Sequence, residues 1–255
     1  MQGTRLLLGA LLLAVGPAGA QAQVPPTVAD NLAVASRILA DQGVVDAFGH
    51  VSMRSPDNPA HFFMPRSLAP ALTTPADIME FDENSNAIDP QGRQVFLERF
   101  IHGEIYRRRP DVMAVVHSHS PAVIPFGVVK TPMGAMFHNA AFLAKGAPVF
   151  DIAEKFGVTN MLVANQAIGA ALAERLGDKA VALMRGHGVA VVGPTLELAV
   201  FRAVYTEVDA RLQTQAIALG GPIQFLTPEE GEQADKVNAQ IVARAWDLWK
   251  RRVAK

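Results

Sequence analysis

The sequence predicts an α/β fold in which a central, mainly antiparallel (mixed) sheet is covered by helices. Three observations lead there. Half of the 255 residues are apolar and 18% are charged, the balance of a chain that buries one sizeable core. Stretches with the 3.6-residue period of amphipathic helices are interleaved with short apolar runs bounded by turn residues. These helices and strands do not alternate in the regular manner of parallel βαβ units, which favours antiparallel neighbours.

The N-terminal segment stands apart. Arg5 is the only charge in residues 1–22, an apolar run occupies 6–15, and Gly16-Pro17 precedes the small-residue stretch from Ala18 to Ala22. This layout predicts a signal peptide over 1–22, cleaved after Ala20 or Ala22, and hence a periplasmic or secreted protein. The alternative is a membrane anchor, but the apolar run is about half the roughly 20 residues that a span needs. After it, one domain is expected over 28–252, with no linker or internal repeat.

Within that domain, Leu32, Ala35, Ile38 and Leu39 have helical spacing, and Gly43 marks the stop. Strands follow over 50–54, 61–64 and 78–81. A helix is expected over 95–108, ending before Pro110, and then a β-branched strand over 112–116. Residues 121–128 and 160–176 read as helical, the latter closed by Gly177. Two strands, 180–184 and 189–192, flank Arg185-Gly186-His187-Gly188, and long helices are expected over 196–218 and 229–252.

Composition narrows the function. The formal net charge is −1, and the basic residues are scattered except for Lys250, Arg251 and Arg252 at a helix end. Nothing here suggests a nucleic-acid groove or an anionic membrane surface. There are no cysteines, so a transition metal has to be held by histidine and carboxylate.

Chemistry concentrates in His117-Ser118-His119. Alternate strand residues point to one face, so two imidazoles at this spacing can bind one ion from one side; the alternative is a pair of unrelated polar histidines. His187, bare between Gly186 and Gly188, is either a third ligand or a plain turn residue. Three imidazoles with an open position form a catalytic metal pattern. Glu98, one helical turn before His102, is either a carboxylate that moves a proton at that site or an exposed helical residue paired with a nearby arginine.

Taken together, Gly49-His50-Val51-Ser52-Met53-Arg54, Glu98, His102, Tyr106, Pro110-Asp111, Val115-Val116-His117-Ser118-His119 and Gly186-His187-Gly188 resemble the class II aldolase/adducin family over residues 28–219. The resemblance implies a three-layer α/β/α fold. It implies a divalent metal ion, zinc first and manganese as the alternative, on His117, His119 and His187, with Glu98 as the catalytic acid/base. It also implies a homotetramer with active sites between subunits.

The departures are specific. Where the family's sugar-phosphate aldolases carry Gly-Asn, this chain has Gly49-His50; where they carry a Ser-Ser pair before the catalytic glutamate, it has Phe96-Leu97, which offer no hydroxyl to a phosphate. Arg66 offers a fork for a carboxylate or is simply a surface residue. His50 binds a substrate oxygen or caps a strand. His138 falls near the place of the aldolases' active-site tyrosine and is a second candidate for proton transfer. With Gly49, His50 and Arg66 as substrate-binding residues, the expected reaction is carbon–carbon cleavage of a non-phosphorylated hydroxy-carbonyl or hydroxy-acid, by retro-aldol cleavage or decarboxylation. A sugar-phosphate aldolase or epimerase, an adducin-like binding module without catalysis, and an exported metal-binding protein without turnover are the alternatives.

Overall fold

The computed structural model describes residues 24–254; the expected signal peptide lies outside them. Its centre is an eight-stranded sheet. In chain order the strands are β1 His50–Arg54, β2 Phe62–Pro65, β3 Ile78–Phe81, β4 Ala87–Ile88, β5 Ala114–Ser118, β6 Val149–Phe150, β7 Val181–Met184 and β8 Gly188–Gly193. Across the sheet the order is β4-β3-β2-β1-β5-β8-β7-β6. Only the β6–β7 pair is parallel, so the expectation of a mainly antiparallel, mixed sheet holds.

Strand alternation builds the layers. Val115, Ala182, Met184, Ala190 and Val192 face one side, where they pack on Ile101 and Ile105 of α2 (Arg99–Arg108) and on Leu172 and Leu176 of α4 (Gln166–Leu176). Val116, Val181, Leu183, Val189 and Val191 face the other. That side is covered by α1 (Pro26–Asp41), α5 (Leu196–Leu219) and α6 (Pro228–Val253), through Leu32, Ile38, Val200, Phe201, Trp246 and Trp249. The molecule is therefore a three-layer α/β/α arrangement with two cores of different helices. Among the described residues, no helix is long and apolar enough to cross a membrane.

Four local expectations change. Residues 121–128 hold only a 3-10 turn, Ile124–Gly127, because the segment is pinned by Glu207, which accepts from the Ser120 hydroxyl and the Ala122 N–H. The helix expected from 160 starts at Gln166, where the Asn165 side chain caps Ile168 N at 3.0 Å. The helix expected from 95 starts at Arg99, with Glu98 as a cap residue whose side chain does not cap. The strand expected over 112–116 starts and ends two residues later, which brings His117 into the sheet. Two short strands, β4 and β6, and the five-residue helix α3 (Ile152–Phe156) are too brief to show any period.

Candidate metal centre and active site

The site forms at one end of the central strands. His117 is the fourth residue of β5, paired with His50 on one side and Ala190 on the other, and His119 follows just beyond the strand. His187 ends the tight turn that joins β7 to β8, its N–H donating to Met184 O at 3.1 Å. Two glycines permit this closeness. A Cβ on Gly188 would lie 2.2 Å from Ser118 O. Gly49 has φ +101, and a Cβ there would lie 2.9 Å from His117 O. Gly49, expected to bind substrate, thus acts in this chain by letting the β1 entry close onto a histidine backbone.

The ring nitrogens converge. His117 Nε2 and His119 Nε2 are 3.3 Å apart, and His187 Nε2 and His119 Nε2 are 3.1 Å apart. Glu98 Oε2 stands 3.5 Å from His117 Nε2 and 3.4 Å from His187 Nε2. Ligand atoms of the four residues all lie within 4.8 Å of one another. The other oxygen, Glu98 Oε1, accepts from the Val163 N–H at 2.9 Å, which fixes the carboxylate's orientation. His117 Nδ1 donates to Val189 O at 3.1 Å, leaving Nε2 as a lone pair.

This donor set fits a divalent ion. Imidazole nitrogens about 2.0–2.1 Å from a tetrahedral zinc stand about 3.3 Å apart, close to the spacings found here. Without a cation, neutral ring nitrogens and a carboxylate would face one another with too few protons to share. Burial alone would raise the Glu98 carboxyl, but His117 and His187 outweigh it and hold the group far below the usual carboxylate range. His119 is pushed down to about 4, first by burial and then by His117 and His187, so the imidazole is neutral and ready to ligate.

Around the cluster, the other expected residues divide. His50 is buried with its ring centroid 5.1 Å from that of His117 and 4.5 Å from that of Phe96. Burial, then His102 and His117, lower it well below the ordinary histidine value. Phe48 and Leu97 are exposed beside the site, the Phe48 ring 6.2 Å from that of His119. Arg66 leaves β2 at the sheet end where His50 enters β1, but its Nε is held by Asp77 Oδ1 at 2.6 Å. The fork is therefore half engaged, its terminal nitrogens without a hydrogen-bond partner among the described residues.

His138 is not brought to the cluster. It is exposed and opens a 3-10 segment, His138–Leu143, whose Ala140 and Leu143 join the core of α1, α5 and α6. His117 faces the opposite side of the sheet with Val115, and the group that converges on one point is Glu98, His117, His119 and His187 without His138. The displacement has a simple cause: 129–148 run over the layer that α5 and α6 cover, and Asn238 of α6 fixes His138 O at 2.7 Å.

Sequence reasoning gave no role to Ser52 or Tyr106, which join His50 and His102 in a buried hydrogen-bonded chain. The signal was there. His50, Ser52 and Arg54 alternate along one strand face, and His102 and Tyr106 recur at i, i+4 on the helix opposite.

Residues 30–214 match the model of the Class II Aldolase and Adducin N-terminal domain. The chain is 35% identical to Decarboxylase tropJ of Talaromyces stipitatus, over 85% of this chain and 90% of that one. It is 30% identical to a 3,4-dihydroxyphthalate decarboxylase of Arthrobacter keyseri, over 77% of this chain and 82% of that one. Among solved structures, an L-fuculose 1-phosphate aldolase from Glaciozyma antarctica superposes with a TM-score of 0.72 at 23% identity, covering 89% of this chain and 88% of the other, a likeness of fold.

Proposed function

The chain belongs to the class II aldolase and adducin family and is a lyase, and from that premise we propose that it decarboxylates a hydroxylated aromatic acid with the help of a divalent metal ion. The observation that carries this reading is the convergence of His117, His119, His187 and Glu98 within 4.8 Å, with the Phe48 ring 6.2 Å from that of His119 and the Phe96 ring 4.5 Å from that of His50. The decarboxylase relatives support the reaction type over retro-aldol cleavage.

His117, His119 and His187 would hold the ion, zinc by preference given three nitrogens at near-tetrahedral spacing. When bound, a divalent ion supplies Lewis acidity that stabilises negative charge on adjacent substrate oxygens. The rest falls to this chain's residues. Glu98, with Oε1 tied to Val163 N–H, presents Oε2 to accept a hydroxyl proton as substrate binds. The bond from ring carbon to carboxylate then breaks, carbon dioxide leaves, and the electron pair stays on the ring carbon. Glu98 returns its proton to that carbon. Phe48, Phe96 and Leu97 offer apolar faces to an aromatic ring rather than hydroxyls to a phosphate.

The reading includes a homotetramer, in which His138, exposed and outside its own chain's cluster, is free to complete that of another copy. It also includes export, with cleavage after Ala20 or Ala22; N-terminal sequencing of exported protein checks this, and an intact Met1 on functional protein contradicts it. The central test is turnover by the metal-loaded protein, with dihydroxybenzoates, dihydroxyphthalates and ketose 1-phosphates as substrates. Carbon dioxide release from an aromatic acid is expected. Aldehyde release from the sugar phosphate with no decarboxylation would replace the reading by the aldolase one.

A further inference from the structure

Two buried histidines, His50 and His102, lie outside the ion-holding set and contact each other. His50 Nδ1 is 2.6 Å from His102 Nε2, His102 Nδ1 is 2.6 Å from Ser52 Oγ, and Ser52 Oγ is 2.7 Å from Tyr106 Oη. Secondary structure dictates the chain: His50 and Ser52 share a face of β1, and His102 and Tyr106 share the face of α2 that covers it. Their exposures are 5% for His50, 0% for Ser52, 0% for His102 and 5% for Tyr106, so water does not substitute for a missing partner.

Three hydrogen bonds in series have two possible directions, and the buried end decides between them. If protons point from His50 towards Tyr106, the phenol oxygen accepts from Ser52 and its own O–H is left in the core, because the other group at Tyr106 Oη, the Val115 N–H, is itself a donor. An unmade buried hydrogen bond carries the full desolvation penalty. In the opposite direction the three innermost donors each find an acceptor: Tyr106 O–H donates to Ser52, Ser52 O–H to His102 Nδ1, and His102 Nε2–H to His50 Nδ1. Burial also raises the Tyr106 phenol far above its ordinary range, so the proton that sets the direction stays in place.

One proton remains, on His50 Nε2, the nitrogen with no hydrogen-bond partner among the described residues, in a ring 5.1 Å from that of His117. We propose that Tyr106, Ser52 and His102 are positioning residues that lock His50 as a neutral Nε2–H donor facing the metal cleft. In that state His50 binds a substrate oxygen anion, a carboxylate or phenolate, and cannot serve as a base, because its only lone pair already accepts from His102. Nor does it release its proton: a compensating shift along the chain would end in a buried phenolate. The identity of the oxygen rests on the decarboxylase reading; the lock does not.

The test is ring-15N NMR of histidine-labelled, zinc-loaded protein in the solid state, with His50 assigned by its loss in His50→Gln. The expected result is a single Nε2–H tautomer at both His50 and His102. An Nδ1–H tautomer or an imidazolium at His50 overturns the proposal. Ser52→Ala should leave His50 in a mixture of tautomers, and Ser52→Thr, which keeps the hydroxyl, should restore the single form. An unmixed Nε2–H signal in folded Ser52→Ala would remove Tyr106 and Ser52 from the lock, and the native measurement decides alone if that variant does not fold. Adding 2,3-dihydroxybenzoate should shift the His50 Nε2 resonance without protonating Nδ1; bound probe that perturbs His119 but not His50 would overturn the donor role. No turnover is needed, so failure of the lyase reading and failure of the lock are separate results.

Discussion

Two buried polar clusters lie on opposite faces of the same sheet, and they differ in how their atoms are satisfied. On the α5 side, Glu207 accepts from Ser120 Oγ and from Ala122 N–H at 3.1 Å, Asp209 from Met136 N–H at 2.9 Å, and Gln213 both accepts from Gly134 N–H at 3.2 Å and donates to Pro132 O at 2.7 Å. Those side chains stitch the 120–136 segment to the helix, because nearly every acceptor meets a donor. On the α2 side, three ring nitrogens and a carboxylate face one another within 4.8 Å and have no such donors between them. Buried polarity alone does not mark a site. A surplus of acceptors aimed at one point does, because only a cation resolves it.

The sharpest way to break that contrast is to remove ligands. Each of His117→Ala, His119→Ala and His187→Ala is expected to lose the one ion per chain, weakening binding by more than the roughly 10- to 100-fold that loss of an outer partner costs. Glu207→Gln, in the satisfied cluster, should leave metal content unchanged. Elemental analysis of the purified variants reads both; equal metal in all four would dissolve the distinction.

Glu98→Gln probes the same cluster without taking a histidine. The carboxamide keeps the shape and can still accept from Val163 N–H, so fold and bound metal should persist. Turnover should fall by at least ~100-fold, the lower range for a lost general acid/base. Near-native rates of carbon dioxide release would show that another group moves the proton.

How much of this was legible in the sequence follows from the range of the interactions. The long helices and the strands His50–Arg54 and Ile78–Phe81 read directly, since their periods are local. His117 and His119 read as a pair because strand geometry fixes i, i+2, and the Gly186-His187-Gly188 turn stood out by its bareness. Local pattern does not say which layer a segment crosses. His138 was therefore placed near the site by resemblance, whereas the α5 acceptors hold its segment on the other face. The helix starts at 95 and 160 failed for a related reason: Glu98 and Val163 N–H are committed to each other across 65 residues, a bond that no window of sequence contains.

The satisfied cluster has one flaw, and it yields the next prediction. Asp209 is fully buried, Oδ1 accepts from Met136 N–H, but Oδ2 has no hydrogen-bond partner among the described residues, and burial pushes its carboxyl up to about 7. The unfolded chain releases that proton near the ordinary aspartate value of 3.8. Between these values the native state holds more protons than the unfolded one, so stability falls as pH rises from about 4 to about 7 and is level above. Asp209→Asn is neutral throughout and should lack this decline, a difference in pH dependence of up to about 4 kcal/mol. Urea unfolding of the metal-free proteins at pH 5 and pH 8 should read about 3 kcal/mol of it. Identical pH slopes for native and variant would mean that Asp209 is ionised in the fold and that the cluster is better satisfied than its hydrogen bonds indicate.

The smallest effect is expected at Arg66, which belongs to neither cluster. Its side chain is 39% exposed, and Asp77, itself fixed by the Thr74 N–H at 2.9 Å and hydroxyl at 2.7 Å, holds Nε. A surface ion pair of this kind contributes about 0–1 kcal/mol to stability, so Arg66→Ala should barely change unfolding. Its value would lie in the terminal nitrogens, which Asp77 orients without occupying, at the sheet end where His50 begins. If they grip the substrate carboxylate, the lost charge-assisted contact costs about 1.5 kcal/mol, the low end suited to a half-exposed group, and kcat/KM for an aromatic acid falls about 10-fold. Arg66→Lys should not restore it, because a point charge cannot be held on Asp77 and fork a carboxylate at once. Asp77→Asn should give an intermediate loss by freeing the guanidinium to wander. The decisive comparison sets an aromatic acid against its decarboxylated analogue used as a competitive ligand: a carboxylate contact weakens only the acid's binding in Arg66→Ala. Equal effects on both, or none on either, would return Arg66 to the surface and leave substrate selection to the metal, His50 and the aromatic walls.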